Sequence, residues 1–489
     1  MSNTNPSTPS ADYKAMSDYW RMVDDIMGGA PAMRAAKTRY LPQFEDEPEP
    51  DYARRLAVSP FTPLYDGSFR NLASKPFSKE VRIGEDAPEI LKKLVEDIDG
   101  AGNHLHVVAR EVFKGAINYG CDWLLVDHTA VPAGVTLGDE RAMGARPYWV
   151  RIPAKSVIAV YEGQFGGKTV IVHARISEAE TVRDGFDEKT IERVREFNRD
   201  ETGARWTLWR KDAESWTVEA EGVFSIGLIP LVPMFTGERE GNGFAVRPPL
   251  RDLAHMQITE YQMEANLAYV QTNTTFPSHV FQGVEQPLDA AGKPVSVSVG
   301  PRTVMFMPFD GESGKFGDYK QVEPSGTAAT ALREDLDAFR KEMREAGMQP
   351  LMPQSGNLTA TATAVAEAKA HSAVEAWALA LKDVLEQAFV YTCMWLGIPE
   401  DQAPDVIVNK DFAIGEKSVE EMGVIDTMYE RELLSGEQYV EEALRRGILA
   451  PTYDREADEK RIEAEAPNDD DLAAAVLPAN NQEQQEEAA

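Results

Sequence analysis

The sequence predicts an α+β fold, and three observations lead there. From Arg146 to Phe235, the runs PYWVRI, SVIAVYEG, TVIVHARIS, ARWTLWR and WTVEAEG alternate or run apolar between turn residues, as a mostly antiparallel sheet requires. Helix-period patterns precede and follow this stretch rather than alternating with it strand by strand. Between Gly326 and Gly397, two long helix patterns face each other across a Pro/Gly-bearing gap, QPLMPQSGNL.

Along the chain, residues 1 to 15 are polar and expected to be disordered. Trp20, Met22, Val23, Ile26 and Met27 predict a short helix ahead of Gly28-Gly29. The acidic stretch FEDEPEPDYARRLA leads through a helix start into a helix-spaced set, Phe61, Leu64, Tyr65, Phe69 and Leu72. Val81-Arg-Ile is expected as a short strand, Pro88 opens a helix through Ile98, Asn103 caps another through Ala116, and Cys121–Val126 is a buried strand. Pro248-Pro249 suits a first helical turn, and the helix that follows runs to about Asn273 through Leu250, Leu253, Ala254, Ile258, Tyr261, Ala265 and Ala268. Phe276–Glu323 holds short strand patterns (SHVFQGV, VSVSVG, TVMFMP, YKQVEP) between two helices, as a small β-insert at the tip of a helical pair would.

The helix beginning near Gly326 places Leu332, Leu336, Phe339 and Met343 on one narrow seam and charge on every other face. Thr361 to Leu396 forms one long helix, with Trp377, Leu381, Val384, Leu385, Ala388, Trp395 and Leu396 as its apolar stripe, stopped by Gly397 and Pro399. At 1.5 Å per residue these helices span roughly 30 and 54 Å. A β-like VIVN and helices Ser418–Leu434 and Gly436–Arg446 follow. The final 36 residues carry twelve acids against Arg455, Lys460 and Arg461, and disorder is expected from Pro467.

The chain has 489 residues, enough for more than one domain or one large elaborated one, and 43% hydrophobic residues suffice for a core. Its formal charge is −31, from 50 basic and 81 acidic residues. That balance disfavours tight grip on a phosphate backbone, which needs clustered cations, yet suits a surface past which a polyanion slides. Cys121 and Cys393 are expected as small core residues. No apolar run of about 18 residues predicts a membrane span, so a soluble, reducing compartment is expected.

Chemical motifs are weak. GQFGGKT (Gly163–Thr169) lacks the first glycine of a Walker A motif, since Glu162 holds that place, and it lies between strand patterns; a hairpin turn is expected. His104 and His106 diverge by about 200° on a helix, the wrong spacing for shared metal ligation. No Gly-x-Ser-x-Gly elbow is present. The threonines 359, 361 and 363 offer helix N-caps. No catalytic residue, metal or cofactor is expected.

The order helix, β-insert, helix, loop, long helix, helical C-terminus resembles the portal proteins of tailed bacteriophages. RPPLRDLAHMQITEYQMEANLAYVQTNTTFP looks like the family's stem helix. YKQVEPSG and the helix bearing Arg333, Leu336 and Met343 look like the re-entrant stem. LTATATAVAEAKAHSAVEAWALALKDVLEQAFVYTCMWLGI resembles the wing helix, and LLSGEQYVEEALRRGIL the C-terminal helices. The likeness covers most of residues 50–465, though Pro248-Pro249 stands where the family often has Ser-Pro.

It implies a portal-like chain with an α/β wing body (16–247), stem helices (248–273 and 326–347), a β-rich clip (274–325), a tunnel loop (348–360), a long wing helix with return to the wing (361–415), a crown-like helical region (416–466) and an acidic tail (467–489). It further implies a ring of about 12 copies at a capsid vertex, assembled in host cytoplasm, passing double-stranded DNA without sequence specificity. Implied partners are a terminase large subunit, a head-tail adaptor, and the major capsid and scaffolding proteins, with no membrane. Gln349, Pro350, Leu351, Met352, Pro353, Gln354, Ser355 and Asn357 would form the loop facing DNA, where an apolar tip could touch it without fixed charge. Arg333, Asp337, Arg340, Lys341 and Arg344 would meet neighbouring subunits or the lumen. Another virion protein, such as a minor head or adaptor protein, is the alternative; a soluble enzyme with a helical arm is a third.

Overall fold

The computed structural model describes residues 5–131, 136–241, 243–275, 278–282, 326–347, 360–410, 417–431 and 433–445, with short pieces at 292–293, 309–310, 315–316, 318–322, 448–449, 453–455, 457–458 and 460–461. The expected strands VSVSVG and TVMFMP, the gap after Gly347 and the tail from Pro467 lie outside the described residues. The chain divides into two compact units, Met1–Lys410 and Asp411–Ala489.

The first unit opens with helices α1 (Ala11–Met27), α2 (Gly29–Ala35), α3 (Glu49–Val58) and α4 (Leu64–Ser74). After them come strand β1 (Arg82–Ile83), helices α5 (Glu89–Val95) and α6 (Leu105–Tyr119), strand β2 (Cys121–His128) and helix α7 (Leu137–Ala142). A run of strands follows: β3 (Pro147–Ile152), β4 (Val157–Phe165), β5 (Lys168–Asp184), β6 (Asp187–Asp200), β7 (Gly203–Asp212), β8 (Ser215–Phe224) and β9 (Leu231–Phe235). The pair β10 (Glu238–Arg239) and β11 (Val246–Arg247) leads to α8 (Arg251–Thr275). Four short strands, β12 (Ser278–Gln282), β13 (Phe309–Asp310), β14 (Lys315–Phe316) and β15 (Asp318–Val322), precede α9 (Thr327–Ala346), α10 (Ala360–Leu396) and β16 (Val406–Ile407). The second unit holds α11 (Lys417–Glu430) and α12 (Gly436–Arg445), which meet through Ile425 and Ala443 with Leu434, Tyr439 and Leu449 against them.

The strands confirm the antiparallel expectation. Two larger sheets form, β3-β2-β9 and β4-β5-β6-β7-β8, every pairing antiparallel. The Gly166-Gly167 turn joins β4 to β5 with both residues at positive φ, so GQFGGKT is a hairpin as its sequence predicts. β6 is absent from the expected strands because nine of its 14 residues are charged. Pairing on both sides, rather than an apolar face, holds it extended.

The start of the chain corrects an expectation. Within the segment anticipated as disordered, Ser10 caps α1 by accepting from Tyr13 N at 3.2 Å, and its own N–H donates to Ile158 O of β4. Asp12 accepts from Phe244 N at 2.8 Å. These polar residues therefore act as a cap and a tether.

The core is built where α6 and α10 pack on the smaller sheet and α4 packs on α6. Tyr65, Phe69 and Leu72 of α4, Val112, Phe113 and Ala116 of α6, and Leu381, Leu385 and Phe389 of α10 are buried. Full burial of each large apolar side chain is worth about 1.5–3 kcal/mol before entropy is charged. Trp149 of β3 packs edge-on to Phe389 at 4.8 Å and donates its indole N–H to Thr392 Oγ1, fixing α10 against the sheet.

A wholly buried carboxylate is paired in this body. Asp122 of β2 accepts from Arg151 Nε at 2.6 Å and from Ala154 N at 3.0 Å. Burial pushes its carboxyl up to about 7, opposed by the guanidinium. Gly115 of α6 faces the pair, and a Cβ there would overlap Asp122 Oδ2 and crowd Arg151. Gly115→Ala is expected to lower the unfolding free energy by about 1–3 kcal/mol, read from the denaturant midpoint at unchanged slope.

Candidate functional site

The feature with no counterpart in an ordinary globular body is the helical hairpin formed by α8 and α9. The two pack on each other, and at their far end β12 pairs antiparallel with β15, from Ser278 opposite Val322 to Gln282 opposite Asp318. The chain thus leaves the body along α8, turns through short strands and returns along α9. At the body end, Leu250 just before α8 and Leu253, Ala254, Tyr261 and Ala265 within it are buried.

The seam of α9 is as narrow as its sequence predicts: Leu336 and Met343 are buried, with Leu332 and Phe339 half-buried. Its packing partners are α8 and α4, whereas α10 lies against β2, β3 and β9. This corrects the expectation that the two helices flanking the gap face each other. The seam closes on the preceding helix because the intervening strands fold the chain back on itself. Where α9 ends, Gly347 passes so close to Ser68 of α4 that a Cβ would strike the hydroxyl.

A polar clamp ties α8, α9 and the segment before α4 together. Arg340 donates through Nη2 and Nε to Glu260 Oε1 at 2.5 and 2.8 Å, and through Nη2 to Thr62 Oγ1 at 3.0 Å, with Glu264 Oε1 at 2.7 Å. Gln257 completes it, donating to Thr62 O and Glu260 Oε2 while accepting from Tyr65 N. The Glu260 side chain is wholly buried, and burial pushes its carboxyl up to about 7 against the opposing Arg340. Two carboxylates share one guanidinium here, so Arg340 cannot be removed without stranding charge.

The sequence-predicted site residues separate on this geometry. Arg340 points inward to its own chain's α8, rather than to a neighbouring subunit or a lumen as expected. Arg333, Asp337 and Lys341 are exposed and Arg344 is half-buried. Gln349, Pro350, Leu351, Met352, Pro353, Gln354, Ser355 and Asn357 lie outside the described residues. Sequence reading missed Glu260, Glu264, Gln257 and Thr62. The signal available was Gln257, Glu260 and Glu264 at i, i+3 and i+7 on one face of α8, a polar pattern that reads equally well as solvent-facing.

Elsewhere the polar groups serve the fold. His104 caps α6 by accepting from His106 N, and His106 Nδ1 accepts from Val81 N. Cys121 and Cys393 are buried free thiols. Among the described residues, no group of three His, Cys, Asp or Glu side chains could hold a metal ion, and no helix is long and apolar enough to cross a membrane. An open cleft of about 370 Å³ lies between α1 and the first turns of α8. On its rim Arg21 pairs with Asp18, and Arg39 with Asp25.

The clamp has a definite pH signature. Glu260 in the folded chain holds its proton to about 7, above its ordinary value of 4.5. Its contribution to stability is therefore fully present below about 4.5 and lost as pH rises through about 7. Arg340→Met is expected to cost about 3 kcal/mol at pH 8, where Glu260 becomes an unpaired buried charge, and clearly less at pH 5, where it is neutral. Denaturant titrations of both proteins at the two pH values measure this difference.

A protein-family profile described as "Domain of unknown function (DUF4055)" matches residues 249–396, the stretch from α8 to the end of α10. A search of curated proteins finds no match. Among solved structures, the chain is similar to a chain of "Neck of native GTA particle computed with C12 symmetry", with 14% identity and a TM-score of 0.41 over 80% of this chain and 91% of that one. The same figures hold for a chain of "Neck of empty GTA particle computed with C6 symmetry".

Proposed function

We propose that the chain is a structural subunit of a virion connector, and within that class a portal subunit whose ring conducts DNA during packaging and ejection. The observation that carries this is the α8–β12–β15–α9 hairpin, a long projection that is clamped where it joins the body and capped by strands at its far end. In the portal arrangement that the sequence resembles, such a hairpin is the stem and clip, and the body is the wing.

The chemistry of the exposed surface agrees with that role. α9 turns Arg333, Asp337 and Lys341 outward, charges of both signs that can meet opposite charges on a neighbour across a head-to-tail interface. The formal charge of −31 disfavours adhesion to passing DNA. The work of such a subunit is mechanical: hold a bore open, dock a terminase large subunit while DNA enters, and then hold a head-tail adaptor, with major capsid and scaffolding proteins around it. Residues 348–360 would project into the bore as the tunnel loop, with Pro350 and Pro353 stiffening its apolar tip.

Negative-stain imaging of the purified protein is expected to show rings of about a dozen subunits with a central channel; a uniform monomer would overturn the proposal. Deleting residues 351–357 is expected to leave the rings intact while reducing DNA retained per particle. Loss of the rings in that deletion would remove the tunnel-loop assignment.

A further inference from the structure

Phe186 is fully exposed, at the outermost turn of the β5–β6 hairpin. Asp184 and Asp187 close that hairpin around a two-residue turn, Gly185-Phe186. Gly185 has φ +67°, which the first position of such a turn needs. Nothing in the turn calls for an aromatic residue at the second position.

The hairpin also reaches far from any core. Its last buried residues are Ile176 on β5 and Val194 on β6. Asp184 lies eight residues beyond Ile176, or about 26 Å at roughly 3.3 Å per residue. Charge ladders hold this arm straight: Arg195 to Glu178 at 2.7 Å, Arg193 to Glu180 at 2.7 Å and to Glu219 at 2.6 Å, and Lys211 to Glu192 at 2.6 Å. A stiff, polar arm thus presents one aromatic side chain flanked by acids.

The same chain carries a complementary hole. The 370 Å³ cleft is lined by the apolar Met16, Met22 and Val246 and by charges of both signs, Arg21, Arg39 and Arg251 with Asp18 and Glu240; Arg21 and Arg39 are already paired, with Asp18 and Asp25. Arg251 has no ion-pair partner among the described residues. The volume is at the small end of the roughly 300–1,000 Å³ of binding pockets. Phe186, being fully exposed, does not occupy its own chain's cleft.

We infer that Phe186 of one copy seats in this cleft of the next, with the acids flanking it, Asp184 and Asp187, brought toward Arg251. Aromatic anchors in a pocket dominate protein interfaces, and a single available counter-charge beside the anchor favours one register. Knob and hole lie on different elements of one chain, so the contact is head-to-tail and propagates around a ring. The inference rests on the ring proposed above and supplies a contact for it.

Cysteine cross-linking tests it. The full-length chain keeping Phe186 and carrying both Asp184→Cys, beside it at the hairpin end, and Ala15→Cys, an exposed residue of the cleft, is oxidised and run without reductant; Cys121 and Cys393 are buried and do not compete. A covalent ladder extending beyond trimers is expected. In parallel, Asp187→Arg is expected to weaken assembly at least about tenfold, and adding Arg251→Asp to restore most of it, as coupled partners do. Both positions lie away from the core, and circular dichroism confirms the fold. Rings without a ladder overturn the contact and leave the ring standing. Cross-linked dimers alone overturn it too, since they report a two-fold contact. Absence of both rings and ladder overturns the contact and the function together.

Discussion

Two carboxylates and one guanidinium, enclosed where α8 meets α9, set the terms on which the helical hairpin joins the body. Glu260 is wholly buried, Glu264 nearly so, and Arg340 reaches both while also touching Thr62. A buried charge is tolerable only with its partners in place, so the register of α9 on α8 follows from this one arginine. A slide of α9 by one turn, about 5.4 Å, would leave Glu260 buried without its partner. The apolar contacts of Leu336 and Met343 supply attraction without such selectivity, because a seam of leucine and methionine can adjust. Attachment and register thus come from different groups, one greasy and forgiving, the other polar and exacting.

The body that receives the hairpin is fixed by similar means. α10 packs its Leu381, Leu385 and Phe389 on the smaller sheet. Two indole N–H bonds then set its height, from Trp149 to Thr392 Oγ1 and from Trp395 to Val126 O. Asp122 and Arg151 bind β2 to β3 beneath Gly115 of α6, where a larger residue would enter the ion pair. The far half of the larger sheet has no such core and relies on cross-strand charges, each worth little alone but repeated along the strands. Charged edges also discourage unwanted strand pairing. Rigidity is therefore concentrated where the hairpin is anchored, and the periphery remains free to meet neighbours.

Much of this was legible from residue pattern. Periodicity located α4, α6, α8, α9 and the apolar stripe of α10, and alternation located β3, β4, β5, β7 and β8, because those elements bury one face and their side chains record it. The Gly-Gly turn after Phe165 was legible too, since turn chemistry is local, whereas the cap of α6 falls on His104 and not on the expected Asn103. β6 was not: its extended form is imposed by β5 and β7, and a strand dressed in charges on both faces carries no period-two signal. Residues 5–15 carried no signal either, because their order comes from bonds to Ile158, Phe244, Arg175 and Lys155, all remote in sequence.

What the sequence determined by itself was the menu: an α+β chain, its long helices and their apolar faces, and a short-stranded insert between α8 and α9. Tertiary structure alone decided the partners. It laid α9 on α8 and α10 on the sheet, and turned Arg340 inward while Arg333, Asp337 and Lys341 stayed outside. The physical reason is that helix periodicity specifies which face is buried but not against what, and a charged residue in a sequence looks the same whether its counter-charge is water, a neighbouring copy, or a glutamate 80 residues away.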